Sequence, residues 1–115
     1  MDALTARTAL KGALTPSGVA IKFRGEVLPL ETAHAVIDLI VDTPIITWSA
    51  DSGQTITRFQ VGYYAKSPFS NAAAVYDACH PLAVAAGFNH VGNSRFVNED
   101  NWTGIIVDYQ YSVGG

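Results

Sequence analysis

The chain has 115 residues, of which 49% are apolar, so its length and composition suit one domain with a hydrophobic core. Only 15% of the residues are charged, the net charge is −3 and no Lys/Arg cluster occurs, which argues against binding nucleic acid through its phosphates. One cysteine, Cys79, excludes an internal disulfide, and neither a signal peptide nor a membrane-spanning apolar run is apparent. We therefore expect a protein made in a reducing cytoplasm, without membrane contact.

In the first third of the chain, the residue pattern predicts one helix and two strands. Small and apolar residues recur at helical spacing over residues 3–14, and Pro16-Ser17-Gly18 ends the run. Alternation over residues 19–23 predicts a half-buried strand. Residues 26–32 contain a proline and indicate a loop or a short edge segment. Residues 33–42 fit a helix or a strand, and their β-branched side chains favour the strand.

A hairpin follows. We expect Asp42-Thr43-Pro44 to break the preceding strand, residues 45–49 to resume it, and residues 50–53 to form the turn. The next strand covers residues 55–65. Alternation along it predicts a buried face made of Phe59, Val61, Tyr63 and Ala65.

A second helix and a final pair of strands complete the pattern. Ser70 is placed to cap the helix, Gly87 to end it, and Pro81 to kink or restart it near His80. Its predicted buried stripe is Val75, Ala78, Cys79, Leu82 and Ala86. Residues 88–98 are weakly patterned, whereas residues 105–113 alternate clearly. The predicted fold class is α+β: one domain, residues 1–115, with a mostly antiparallel sheet and two helices packed on one face.

No residue pattern for catalysis or metal binding stands out. His34, His80 and His90 are far apart in sequence and form no metal-binding spacing. Cys79 lies on the predicted buried stripe, which favours a structural role over a reactive one. We therefore expect no catalytic residue, no metal and no cofactor.

Two acidic residues and several aromatic residues are candidates for contacts with partners. Asp38 and Asp42 have an even spacing, so in a regular strand they share one face, either as a solvated surface or as the wall of a ring channel that repels DNA. Aromatic side chains near turns and on the less apolar strand faces anchor interfaces or pack within one domain, and both interpretations stay open. These aromatic residues are Trp48, Tyr64, Phe69 and Trp102.

Four segments in a fixed order carry a resemblance to a known family. They are Asp42-Thr43-Pro44, the strand and corner Thr57–Ser67, the Ala-rich helix 71–86 and the closing strand Trp102–Tyr109. In this arrangement the chain resembles bacteriophage tail terminator and tail completion proteins, with head-tail joining proteins as near relatives. The resemblance covers most of the length.

The resemblance implies a structural virion protein without enzymatic activity. Its copies form a ring, commonly a hexamer, that caps the tail tube at its head-proximal end and presents a surface to the head-tail connector. The expected partners are further copies of the chain, the tail tube protein and the connector protein, with genomic DNA only as cargo that passes through the channel. The protein is expected in the virion tail after synthesis in the bacterial host cytoplasm.

Within that interpretation, exposed positions are assigned to contacts as hypotheses. The hairpin is expected to contact the tube through Trp48, Asp51, Ser52 and Gly53. Subunit or partner contacts are expected at Arg24, Arg58, Tyr64, Phe69 and Trp102. A head-tail connector subunit is one alternative, and a small dimeric ferredoxin-like ligand-binding module is another. The latter would line an apolar pocket with Phe59, Tyr63, Tyr109 and Tyr111.

Overall fold

The structure is a computed structural model that describes residues 3–26, 32–44, 55–99 and 101–113. In chain order its elements are α1 (Ala3–Leu14), a 3₁₀ turn (Thr15–Ser17), β1 (Ala20–Phe23), β2 (His34–Pro44), β3 (Thr55–Lys66), α2 (Phe69–Ala85), β4 (Asn89–Glu99) and β5 (Trp102–Val113). The predicted order of helix, strands, helix and two strands is confirmed, as is the α+β class.

The five strands form one sheet in the order β1-β2-β3-β5-β4. β1 runs parallel to β2, and the other three pairs are antiparallel. β1 and β4 are therefore the two edges of the sheet. The long central strands β3 and β5 pair over their whole lengths, from Thr55 opposite Val113 to Lys66 opposite Trp102.

The hydrophobic core lies between the helices and one face of this sheet. The alternation predicted for β3 is confirmed, because Phe59, Val61, Tyr63 and Ala65 are all buried. From α1 the side chains Ala6, Leu10 and Leu14, spaced four residues apart, are fully buried against them. The other face of the sheet carries no helix in the described structure, so its side chains do not contribute to the core beneath the helices.

Helix α2 differs from its prediction in three respects. It begins at Phe69 after Pro68, and no side chain caps its first turn, so the role assigned to Ser70 is wrong. Of the two alternatives predicted at Pro81, a kink or a restart, the restart is wrong, because one helix runs through Pro81. Pro81 is exposed, so water can satisfy the carbonyl that lost its partner. Ala78 and Ala86 are exposed, and the buried stripe is Ala72, Val75, Cys79 and Ala83.

The end of α2 follows the prediction. Gly87 has a φ of 97°, a left-handed conformation that glycine adopts without strain. The Phe88 N–H donates to the Ala83 carbonyl at 3.0 Å and the Gly87 N–H donates to the Val84 carbonyl at 3.0 Å. These two bonds form a Schellman motif, and Phe88 turns back into the core, where it is buried.

The strand predicted at residues 33–42 is β2, but it does not break at Asp42-Thr43-Pro44. Those residues remain paired with β3, up to Pro44 opposite Thr55. Proline is tolerated there because it is the last residue of the strand. The predicted resumption at residues 45–49 and the turn at residues 50–53 lie outside the described residues.

Candidate interaction surface

The helix-free face of the sheet carries an aromatic cluster at one end. His34 of β2 lies opposite Tyr64 of β3, and its ring centroid is 5.5 Å from those of both Tyr64 and Trp102. His34 is buried, and its Nδ1 donates to the Thr32 carbonyl at 3.0 Å. The three rings come from three neighbouring strands, so the sheet register alone brings them together.

Two glycines make room for the central ring of this cluster. Tyr64 lies flat across β3 and β5, above Gly62 and Gly104. A Cβ atom added at Gly104 would lie 2.6 Å from the Tyr64 ring, and one at Gly62 would also overlap it. Burial raises the pKa of the Tyr64 phenol, which therefore stays neutral at physiological pH.

The aromatic cluster forms one wall of an open groove of about 450 Å³. The chain that leaves β1 forms the other wall. The lining residues are Arg24, Gly25, Glu26, His34, Val36, Tyr64 and Trp102. The groove thus combines flat aromatic surface with one arginine and one carboxylate, a composition found in protein interfaces.

Beside the groove, two ion pairs lie on the same face. The Arg24 guanidinium is 3.3 Å from the Asp38 carboxylate, and that of Arg95 is 3.4 Å from Asp108. Arg95 also donates to the Gln60 side-chain oxygen at 2.9 Å. Both arginines are mostly exposed, so each pair contributes at most about 1 kcal/mol to stability. Their main effect is to keep this face of the sheet polar.

The structure groups three of the five predicted contact residues. Arg24, Tyr64 and Trp102 meet at the groove. Arg58 is exposed on the same face of β3 as Tyr64, but six residues along a strand separate them by about 20 Å. Phe69 lies elsewhere, at the start of α2. Of the predicted tube-contact residues, Trp48, Asp51, Ser52 and Gly53 all lie outside the described residues.

A β-bulge lies between Asp38 and Asp42, the two acidic residues predicted to share one face. A register shift between Leu39 and Val41 leaves Asp38 opposite Gln60 and Asp42 opposite Thr57. The bulge thus inserts one residue of β2 between these two backbone pairs. Asp38 is also paired with Arg24, which neutralises much of its charge.

Phe69 belongs to a second exposed cluster that sequence patterns did not reveal. Its ring is 5.4 Å from that of Phe96 on β4 in an edge-to-face arrangement. Phe96 is 68% exposed and Phe69 is 43% exposed. The sequence signals for this pair are separate: Phe69 is an aromatic residue near a turn, and Phe96 lies in the weakly patterned segment 88–98.

The apolar pocket of the ligand-binding alternative is packed core at three of its four positions. Phe59, Tyr63 and Tyr109 are completely buried, and the Tyr63 and Tyr109 hydroxyls are hydrogen-bonded at 2.7 Å. Tyr111 is half-buried and stacks against Phe88, with 4.8 Å between ring centroids. These rings fill the space under the helices.

The potential reactive and metal-binding groups are placed as follows. Cys79 is buried, as expected, and burial raises its pKa, so the thiol stays protonated and unreactive. Within the described ranges, no three His, Cys, Asp or Glu side chains gather closely enough to hold a metal ion. No helix in those ranges is both long and apolar enough to cross a membrane.

Comparison with known proteins supports the fold. No family model matches the chain, and no curated protein matches it in sequence. Among solved structures, it is similar to a chain of the "Virion of native gene transfer agent (GTA) particle", with a TM-score of 0.58 and 17% sequence identity. The match covers 97% of this chain and 89% of that chain. The two chains therefore share one fold over nearly their whole lengths.

Proposed function

We propose that this chain is a structural protein of a phage-like virion, and that its copies form a ring on the end of the tail tube. The ring ends tube polymerisation and provides the docking surface for the head connector. The observation that carries this proposal is the near full-length likeness to a chain of a gene transfer agent virion. The segments that resemble tail terminators are an independent reason to favour the tail end.

The helix-free face suits such an assembly. It combines an open aromatic groove with ion-paired arginines, whereas the helix-covered face is occupied by the chain's own core. A ring stops growth when one side binds the last tube subunit and the other side offers no copy of that binding surface. The low charge of the chain, 15% charged residues, leaves little electrostatic repulsion to oppose association.

Passage of DNA through the ring requires that the protein bind DNA weakly. The net charge of −3 favours this, because a channel without a positive surplus does not retain phosphates. The chain has no catalytic role in this proposal. A head-tail connector subunit is the second candidate, since the similar chain belongs to a whole virion particle, and the two roles differ in which partner the ring binds.

The first test is the mass of the purified protein by light scattering over a concentration series, with electron microscopy of any large species. We expect a closed ring of about six copies, the assembly that the resemblance to tail terminators implies. A stable dimer would contradict the proposal and favour the ligand-binding module. Rings that bind the connector protein but not tube ends would favour the connector role.

A second test measures tail length during assembly with the tube protein. Trp48→Ala removes a predicted tube contact and Arg58→Ala removes a predicted subunit or partner contact, and both variants should remain folded but yield overlong tails. Lys66→Ala is the control matched to Arg58→Ala, because it removes a cation from the other end of β3. Tails of normal length with both variants would refute these assigned contacts.

A further inference from the structure

The two edges of the sheet differ in chemistry. β1 and β4 are the first and last strands of the sheet order, so they face away from each other. A ring with one kind of contact needs two different surfaces on each subunit, facing opposite directions and complementary to one another. The residues at these two edges can be compared for that complementarity.

The edge formed by α1 and β1 is basic. Arg7 and Lys11 of α1 lie over the ring of Phe23, at 4.2 and 4.9 Å from its centre. Lys22 lies on β1 itself, and Glu26 follows the strand. The Phe23 N–H holds the pKa of Glu26 below its usual value, and the positive charges of Lys11, Lys22 and Arg7 lower that pKa further. We call these four charged residues the basic edge.

The backbone of β1 is closed to strand addition at both ends. The Phe23 N–H donates to a Glu26 carboxylate oxygen at 2.7 Å, and the Val19 N–H donates to the Ser17 hydroxyl at 3.1 Å. Side chains thus occupy backbone donors that an incoming strand would need. A partner at this edge must bind the side chains.

The opposite edge carries exposed aromatic rings and two carboxylates, and the Arg95 cation of β4 is paired with Asp108. Phe96 of β4 and Phe69 of α2 form the exposed ring pair described above. Glu99 ends β4 and is exposed, and Asp77 is exposed on α2. Tyr76 stacks on His80, whose ring contacts that of His90 on β4, so this flank of α2 faces β4. Asp77 is the residue after Tyr76 in α2. We call Phe69, Asp77, Phe96 and Glu99 the aromatic edge.

We propose that the basic edge of one copy binds the aromatic edge of the next copy, head to tail. This inference rests on the proposed function, because it names the surfaces through which the ring would form. Cations bind the faces of aromatic rings, and the chain already does this with Arg7 and Lys11 on Phe23. The aromatic edge carries two carboxylates, whereas the basic edge carries three cations and one carboxylate, Glu26, so the two surfaces attract each other and like edges repel.

A second copy is the partner that this arrangement favours. The two surfaces are complementary in charge and differ in chemistry, and each subunit carries one of each. Contact between them leaves one basic edge and one aromatic edge free at the ends of any dimer. Addition therefore continues until the ring closes.

The experiment uses one variant at each edge of the full chain. Lys22→Glu reverses a charge on the basic edge, and Phe96→Ser removes a mostly exposed ring from the aromatic edge. Each variant alone is expected to be monomeric in sedimentation velocity. An equimolar mixture is expected to form one-to-one dimers and nothing larger, because one intact contact remains. Ala78→Glu, an exposed position in neither edge, is the control and should assemble like the wild type.

Three outcomes would overturn the inference. In the first, either edge variant alone assembles like the wild type. In the second, the mixture of the two variants stays monomeric, and in the third, the wild type is monomeric at its highest soluble concentration. Circular dichroism and thermal unfolding of each variant show whether it is folded, and if Lys22→Glu is unfolded, Lys11→Glu replaces it. If the wild type ends tail growth and the mixture gives no dimer, the proposed function stands and this inference fails. If the wild type forms head-to-tail oligomers that do not affect tail growth, the inference stands and the proposed function fails.

Discussion

The most deeply buried polar contact in the described structure joins three side chains from three elements. The Tyr109 hydroxyl on β5 bonds to the Tyr63 hydroxyl on β3 at 2.7 Å and to Nδ1 of His80 on α2 at 2.8 Å. Both tyrosines are completely buried, and burial raises the pKa of each, so both stay neutral. Tyr109 is the only member with two partners in this chain of bonds. It thereby holds α2 in one position over the sheet.

Tyr109→Phe is expected to destabilise the protein more than Tyr63→Phe. The first change leaves the buried Tyr63 hydroxyl and the His80 nitrogen without this partner, which costs about 1 to 3 kcal/mol. The second change leaves the bond between Tyr109 and His80 intact. Urea unfolding of both variants measures the difference in the free energy of unfolding. If Tyr63→Phe loses as much stability as Tyr109→Phe, or more, Tyr109 is not the residue that connects α2 to the sheet.

Stability should also decrease in mild acid because of His80. Burial lowers the pKa of His80, and nearby His90 lowers it further, so the folded protein resists a proton that the unfolded chain accepts near pH 6.5. The free energy of unfolding should therefore fall as the pH drops below about 6.5 and be unaffected by His80 above that pH. Wild type and His80→Gln unfolded in urea between pH 5 and 8 give the contribution by difference. A difference independent of pH would contradict the prediction.

At the scale of elements, packing overrides local preference in α2. The helix contains a proline, lacks a capping side chain, and still runs from Phe69 to Ala85. Its small buried residues allow a close approach to the sheet, and the Schellman motif at Gly87 closes its end. Burial of one complete face stabilises the helix sufficiently to accept the lost hydrogen bond at Pro81.

Pro81→Ala is expected to raise the free energy of unfolding by about 1 to 3 kcal/mol, because it restores the missing bond and removes a steric conflict. Chemical denaturation measures the gain. Pro16→Ala is the matched control: Pro16 lies in the first positions of the 3₁₀ turn, where no N–H is needed, so no gain is expected. A loss of stability in Pro81→Ala would show that Pro81 has a favourable role in the native helix.

On the scale of the whole molecule, unlike charges are separated between the two edges of the sheet. The α1–β1 edge carries three cations that lower the pKa of Glu26, whereas Asp77 and Glu99 are exposed on α2 and β4, the elements that carry the exposed phenylalanine pair. Between the edges, the helix-free face is neutralised by its own ion pairs. Association through the edges would therefore depend on long-range attraction as well as on buried area.

We expect self-association to weaken by roughly threefold to tenfold between 0.05 and 0.5 M NaCl, because salt screens exposed charges. Sedimentation equilibrium at several salt concentrations measures the dissociation constant. The Ala78→Glu variant should show the same dependence as the wild type. Association that strengthens with salt would indicate an interface dominated by apolar contact.

Sequence periodicity was sufficient to predict most of the fold. Alternation in β3 identified its buried face, and helical spacing with Gly87 located α2 and its end. These signals are local: each depends on neighbours two to four residues apart, and burial of one face imposes them directly. The buried position of Cys79 was predicted on the same basis.

Contacts between distant residues were decided only by the tertiary structure. The β-bulge between Leu39 and Val41 adds one residue to β2 between Asp38 and Asp42, and no residue pattern in β2 predicts this bulge. The pair Phe69 and Phe96 joins a helix to an edge strand. The sequence by itself thus determined the core residues of β3, but only part of the buried stripe of α2. Strand order and register decided which exposed residues lie together, because those depend on how separate elements pair.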